Sequence, residues 1–256
     1  MPYQVMSEDS LYISVGYEQS SGDYGLENNT DISKIPLTFN YINDALRFRV
    51  EIPYIRVKSD GSVIPSSTAV TTTSGRNISG SGHAGSMITT TGSPVTTQSG
   101  LGDIITSASY AFMPTQQNVF YELTAEVKWG TASTRKNLGT GENDYSLSLY
   151  TMYDKHDVMP FVSLGYLIIG DTSTINYDDV LFTTLGLNYQ WSEKTLISVA
   201  YDYQQASVEN MEDGKVVNFY INKALNRDWS VNFNLLTGFS DSVADSGVGI
   251  ALSMRL

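Results

Sequence analysis

Hydrolytic chemistry needs a base held beside a nucleophile, and the 256-residue chain offers two histidines and no cysteine. His156 lies in the turn Asp154-Lys155-His156-Asp157, where no serine is near. His83 lies in Gly80-Ser81-Gly82-His83-Ala84-Gly85-Ser86, a run of small residues with no strand to fix it. A serine nucleophile requires a histidine within hydrogen-bond reach and a third group to orient that histidine. Neither histidine offers this, and the paired acids and strand-borne histidine of a membrane protease are absent too. Without cysteine there is no disulfide, thiolate metal site or cysteine nucleophile. Two histidines leave little scope for a histidine-rich metal site. Gly80-Ser81-Gly82 precedes no helix, so it cannot cradle a phosphate. The expectation is a chain that is not an enzyme and holds no cofactor and no metal.

A second set of charges is spaced differently. Arg47, Arg49 and Glu51 alternate, as do Glu122, Glu126 and Lys128 with their neighbours; Asp202 and Arg255 stand alone. Alternate spacing puts side chains on one face of a β-strand. An enclosed face of this kind either braces a wall or selects what passes along it. Over the whole chain 27 acidic residues oppose 15 basic ones, a net charge of −12. Nucleic acid binding needs a basic surface and is excluded as a partner. With 41% hydrophobic and 11% aromatic residues, the chain has ample material to bury and is not disordered.

The elements that carry these residues follow from period two. Leu11, Ile13, Val15 and Tyr17 alternate with Tyr12, Ser14, Gly16 and Glu18. Leu181, Thr183, Leu185, Leu187, Tyr189 and Trp191 alternate with Phe182, Thr184, Gly186, Asn188 and Gln190. The pattern continues for about ten residues at a time, against the five or six of an ordinary strand and the roughly 9–11 of a transmembrane strand. Twelve such segments are read near residues 10–19, 32–42, 46–57, 103–112, 119–130, 145–153, 159–170, 179–191, 195–205, 215–225, 228–239 and 247–256. No stretch has a helical period. No apolar run approaches the roughly 18 residues of a membrane helix, since Ser163 and Gly165 interrupt the longest candidate.

Short turns at 43–45, 114–118, 154–157, 192–194 and 226–227 alternate with polar loops at 20–31, 58–102, 131–144, 171–178, 206–214 and 240–246. Turns at one end and loops at the other describe an all-β, transmembrane, antiparallel up-and-down β-barrel of an outer membrane. The whole chain, 1–256, is read as one domain. An even strand count puts both termini on the periplasmic side. Met1-Pro2-Tyr3 leads straight into mature-looking sequence, so a signal peptide is expected to have been removed or never to have existed.

Aromatic residues give an independent check, because barrels carry girdles at both interfaces. Trp191 and Trp229 fall at the turn end and Trp129 at the loop end, all on outward parity. Tyr41, Tyr110, Phe112, Tyr153 and Tyr189 join the lower girdle; Tyr17, Tyr54, Tyr145, Tyr201, Tyr203 and Phe239 join the upper. Closure satisfies every backbone polar group where no water is present. Pro36, Pro53 and Pro160 each delete a ladder donor and are expected at strand ends or bulges.

Twelve strands with a long loop between the third and fourth, leading into Gly100-Leu101-Gly102-Asp103 at the start of the fourth, resemble a known family. It is the outer-membrane channel family named for the meta-cleavage pathway of phenol degradation. The architectural likeness covers nearly the whole chain, the motif four residues. The resemblance implies a passive channel for small solutes, aromatic or hydrophobic ones among them. It carries no functional residue over position by position.

Parity assigns the lumen. Arg47, Arg49, Glu51, Glu122, Glu126, Lys128, Asp202 and Arg255 face inward, with charges that nearly cancel. The fourth strand between Arg47 or Arg49 and Glu122 presents mostly small residues, which predicts an ion pair across it. Tyr12, Phe120, Tyr150, Phe161, Leu196 and Tyr220 also face inward. A planar ring could pass between the aromatic arc and the arginines; the same side chains could merely fill a narrow barrel. Asn218, Asn222, Ser230, Asn232 and Asn234 suit polar solutes such as nucleosides or sugar acids, an alternative cargo. A plugged docking barrel is a third reading. The 58–102 loop, with Val63-Ile64-Pro65 among its apolar anchors, is read as a lid, an extension of strands or a disordered segment. Expected partners are the lipid bilayer, lipopolysaccharide and a small solute, with the protein a monomer. Asp23, Glu27, Asp31, Glu142 and Asp144 could meet divalent cations at the lipopolysaccharide surface, but no loop spells a recognised Ca²⁺ pattern, and solvated acidic loops are the favoured reading.

Overall fold

Alternation of apolar and small polar residues gives twelve antiparallel strands in the computed structural model, which describes residues 9–65, 86–87, 94–114, 118–154 and 157–256. They are β1 (Ser10–Gly22), β2 (Thr30–Asn43), β3 (Leu46–Ser59), and β4, formed by Thr96–Leu101 and Ile104–Phe112. β5 (Val119–Trp129), β6 (Asp144–Tyr153), β7 (Val158–Ile168) and β8 (Val180–Ser192) follow. The last four are β9 (Thr195–Gln204), β10 (Gly214–Ala224), β11 (Trp229–Gly238) and β12 (Ser246–Arg255). Each strand pairs with its neighbours in sequence, and β12 returns to β1, with Tyr12 opposite Arg255 and Ser21 opposite Ser246. The sheet therefore closes. The described ends of the chain meet at the short-turn end, where the Leu256 N–H donates to the Leu11 carbonyl at 2.8 Å.

The outside of the wall is apolar. Leu147, Leu149, Leu164, Leu185, Leu187, Ile250 and Leu252 are all exposed. A soluble protein rarely leaves so wide an apolar belt open to water; hydrocarbon is the solvent that suits it. Trp191 and Trp229 stand on the outer face at the turn end and Trp129 at the loop end, where its indole N–H donates to Thr106 Oγ1 at 3.0 Å. Tyr189 meets Trp191 edge to face, and Phe112 stacks on Tyr121.

β1 and β2 run beyond the expected segments, so the loop between them shrinks to 23–29. β3, at 14 residues, is longer than a tilted membrane strand requires. Above Tyr54 it pairs with Thr96–Leu101, so the strands flanking the long loop extend past the loop-end girdle. Val63 and Ile64 are buried and pair with Met87 and Ser86. Residues 66–85 and 88–93, which include His83 and most of the Ser/Thr/Gly-rich run, lie outside the described residues, as do 1–8 and His156.

Of the three prolines, only Pro36 departs from expectation. Pro160 lies near the start of β7, but Pro36 and Pro53 sit mid-strand, opposite one another. Both rings face the lumen, where no side chain has to pass. Two glycines make the room: a Cβ at Gly16 would come within 3.3 Å of the Pro36 ring, and one at Gly102 within 3.1 Å of the Pro53 ring. The missing donors are absorbed locally. The β1–β2 ladder runs from Val15 opposite Leu37 to Glu18 opposite Lys34 without registered pairs between them. β4 breaks at Gly102-Asp103, where the Gly102 N–H donates to the Pro53 carbonyl at 2.9 Å. Only Pro53 thus meets a bulge.

Candidate functional site

Inward parity on β1 to β5 builds a charged wall. Arg47 pairs with Glu122 across β4, over the small residues Ser109 and Ala111. Arg49 pairs with Glu51 on its own strand. Lys34 joins the set from β2, 3.1 Å from Glu18 and 3.2 Å from Glu51. Higher up, Lys128 lies 2.7 Å from Asp144 and 3.8 Å from Asp103. Glu126 is buried on the same face, and Arg255 stands opposite Tyr12 at the turn end. Among the described residues no lysine or arginine pairs with Asp202 on β9; it accepts hydrogen bonds from Thr184 Oγ1 and Asn218 Nδ2. The lumen set read from the sequence omits Lys34, Glu18, Asp103 and Asp144. Glu18 and Lys34 follow the alternation of their strands and were legible. Asp144 is corrected from a surface cation ligand to a lumen partner of Lys128, and Asp31 is bound to Ser21 and Lys58.

The facing wall is apolar. Phe120, Tyr150 and Phe161 form a chain of rings, 6.1 Å and 5.4 Å between successive centroids, packed with Met152, Met159 and Leu196. Toward the loop end Leu167, Val180 and Phe182 form a second cluster on the same strands. Two glycines keep the phenylalanine rings flat against the wall. Gly186 lies opposite Phe161 and Gly165 opposite Phe182, and a Cβ at either would fall 2.3 Å or 2.1 Å from the ring. The rings therefore coat the wall rather than block it. The arginine and aromatic walls are not separated by open space as expected: Arg47 itself stands over Phe120, 5.7 Å from its centroid, where a cation–π contact is favourable.

β8 to β12 supply amides and hydroxyls. Ser198 donates to Asn188, Asn222 donates to Asn232, and Ser14 donates to Ser253. Tyr220 and Asn218 are buried beside them.

Two loops narrow the mouth. Residues 131–143 fold inward: the Ala132 N–H donates to Asp103 Oδ1 at 2.8 Å, and Leu138 packs with Ile55 and Val57. Asn137 adopts φ 52°, reversing the chain after the short turn Thr134–Lys136. A Cβ at Gly139 would lie 2.7 Å from Asp103, and one at Gly100 3.0 Å from Leu138, so both glycines permit the close approach. On the other side Tyr24, Val63, Val243 and Ala244 cap the upper ends of Val216 and Leu236. Desolvation by burial, then the Asp245 charge, holds the Tyr24 hydroxyl well above the usual phenol range.

The model of a family described as "Putative MetA-pathway of phenol degradation" matches residues 38–256. No curated protein matches the chain. Among solved structures, the COG4313 outer membrane channel from Pseudomonas putida F1 shares 13% identity, with 97% of this chain and 96% of that chain covered and a TM-score of 0.66. The NanC porin shares 11% identity, with 96% and 100% covered and a TM-score of 0.57. The KdgM porin shares 9% identity, with 94% and 98% covered and a TM-score of 0.52. At these identities the likeness is one of fold.

Proposed function

The chain belongs to the family described as putative MetA-pathway of phenol degradation, and from that premise we propose that it is a passive outer-membrane channel for small molecules, aromatic or hydrophobic compounds among them. The observation that carries the reading is the apolar inner wall, from Leu167, Val180 and Phe182 near the mouth to Phe161, Tyr150 and Phe120 near the turn end. A purely structural barrel has no need to flatten phenylalanines against glycines along its lumen. An apolar solute loses less along such a wall than along a fully hydrated one. In this reading the termini face the periplasm, the barrel is a single domain and a monomer, and lipopolysaccharide surrounds its loop end. Arg47, Arg49, Glu51, Glu122, Glu126, Asp202 and Arg255 line the selective face, and Tyr12, Phe120, Tyr150, Phe161 and Tyr220 line the route. It carries out no catalysis.

Osmotic swelling of liposomes holding the purified barrel tests the reading. Entry of small neutral solutes, falling steeply with solute size, is expected; swelling no faster than in empty liposomes would contradict it.

The closely filled lumen favours a second feature, a narrow resting state. Arg47 on Phe120, Tyr220 from the amide wall and the inward 131–143 loop all reduce the bore. A lumen plugged outright would turn the barrel into a docking platform, and the same swelling assay separates the two.

A further inference from the structure

Basic side chains gather at one place on the outside of the loop end. On β3 the outward positions beyond the girdle residue Tyr54 are Arg56 and Lys58, both exposed. Arg56 stands two residues past Tyr54, roughly 7 Å further along the strand. In register with it on β4 is Ser99, whose carbonyl accepts a hydrogen bond from Lys136 Nζ at 2.9 Å. Arg56 and Lys136 therefore flank Ser99 from opposite edges of β4. Lys58 stands one outward position higher on β3, and Arg135 lies beside Lys136 in the same short turn. Of the other described lysines and arginines, only Lys215 shares the loop end and the outward face.

The patch is not neutralised from within. Among the described residues no carboxylate pairs with Arg56, Arg135 or Lys136, and Asp31 holds Lys58 only at 3.5 Å. In a chain of net charge −12, a local excess of bases is not a general property of the surface. Hydroxyls stand among the charges. The Tyr54 hydroxyl donates to Ser99 Oγ at 3.2 Å, which leaves the Ser99 proton for another acceptor, and Lys136 keeps two of its three donors. Directly below, the outward face turns apolar: Leu101, opposite Tyr54, is 60% exposed, and Trp129 on β5 is exposed too. Cations over an apolar belt suit an amphiphile with an anionic head and acyl chains.

The height of the patch and its layout narrow the choice of lipid. With the loop end outward, the patch lies at the outer leaflet, where the anionic lipid is lipopolysaccharide. Its lipid A anchor carries two phosphates on a disaccharide. The bases likewise fall into two groups, Arg56 with Lys58 and Arg135 with Lys136, on either side of Ser99. We propose that these four residues form an external docking site for lipopolysaccharide, which takes the lipid A phosphates against the β3–β4 extension while acyl chains lie over Leu101 and Trp129. This rests on the outward orientation of the loop end in the channel reading, not on what the lumen conducts.

Native mass spectrometry of the purified full chain in detergent tests the site, with a chelator present to remove divalent bridges to acidic loops. Three probes are titrated: lipid A with both phosphates, the same glycolipid without phosphates, and phosphatidylglycerol. Lipid A with both phosphates is expected to bind about ten-fold more tightly than either of the others. Arg56→Gln with Lys136→Gln removes one base from each group and is expected to weaken that binding about ten-fold, whereas Lys215→Gln leaves it unchanged. Heat modifiability on a gel confirms that the variants have folded, and the wild-type comparison of the three probes stands without them. Equal binding of the glycolipid with and without phosphates would overturn the site. Tighter binding of phosphatidylglycerol would assign the patch to a phospholipid leaflet and overturn it as well. Single-channel recording of the same preparation reads the channel function separately, so either reading can fail alone.

Discussion

Arg47 and Glu122 clasp one another over β4, joining β3 to β5 inside the barrel, and the same guanidinium rests on Phe120. One residue thereby links the charged wall to the aromatic one. Ser109 and Ala111 permit this, because a larger residue on β4 would stand between the partners.

Breaking that clasp from the acid side should cost more than deleting it. Glu122 is 0% exposed, so Glu122→Ala leaves a guanidinium stranded in the wall. Removing one partner of a buried pair costs about 3–5 kcal/mol, whereas replacing both with apolar residues is often neutral. Glu122→Leu combined with Arg47→Met is expected to recover most of the loss. Urea unfolding in lipid vesicles checks this; equal destabilisation of the single and double variants would show that the pair does not act as a unit.

Asp103 is expected to hold the 131–143 loop in the mouth. It accepts the Ala132 N–H and faces Lys128. Arg135 and Lys136 are already exposed, so Asp103→Ala should act by releasing the loop from the wall and letting it adopt the locally unfolded form that trypsin cleaves. Cleavage there, followed by fragment mass, should accelerate at least ten-fold, and single-channel conductance should rise. An unchanged cleavage rate would assign the anchoring to Leu138 and its apolar contacts instead.

Gly165 tests whether flattened rings matter. An alanine Cβ there would overlap Phe182 and push the ring off the wall into the bore. Overpacking of this kind costs about 1–3 kcal/mol. Gly165→Ala is expected to lower both refolding yield and conductance, and Gly165→Ala with Phe182→Leu to restore both. Wild-type conductance in the single variant would contradict a lining role for Phe182.

Acid should loosen the loop before β10. The Tyr203 hydroxyl donates to Asp213 at 2.7 Å and the Ala206 N–H at 2.9 Å, and these bonds hold the carboxyl below the usual carboxylate range. A carboxyl depressed in the folded state stabilises above its unfolded value of about 3.9 and loses that contribution as pH falls through the folded value. The Ala206 amide proton shift should therefore be constant from neutral pH to about pH 4 and move only below it. Asp213→Asn should abolish the transition; a midpoint above the ordinary carboxylate value would contradict the assignment.

Much of this architecture was legible in alternation alone. Parity placed Arg47 and Glu122 on one face and Trp129, Trp191 and Trp229 on the other, because a strand in a closed barrel has only an inside and an outside. Parity fails where the chain leaves the ladder. Asp103 and Asp144 share the inward parity of their strands, Asp144 in register opposite Lys128, so period two reaches them; what it does not show is that the 131–143 loop folds back onto Asp103. Pro36 departs from expectation for a related reason: a proline is tolerated mid-strand once Gly16 makes space, a relation across strands that no single segment reveals. The contact of Arg47 with Phe120 depended on side-chain reach over β4, which strand order does not fix.

The most direct test of the central claim is single-channel recording of the purified barrel in a planar bilayer under a salt gradient. Discrete steps of small conductance are expected, with Arg47→Ala shifting the reversal potential toward cation preference. A silent bilayer, after heat modifiability has shown folded protein in the membrane, would contradict a conducting lumen.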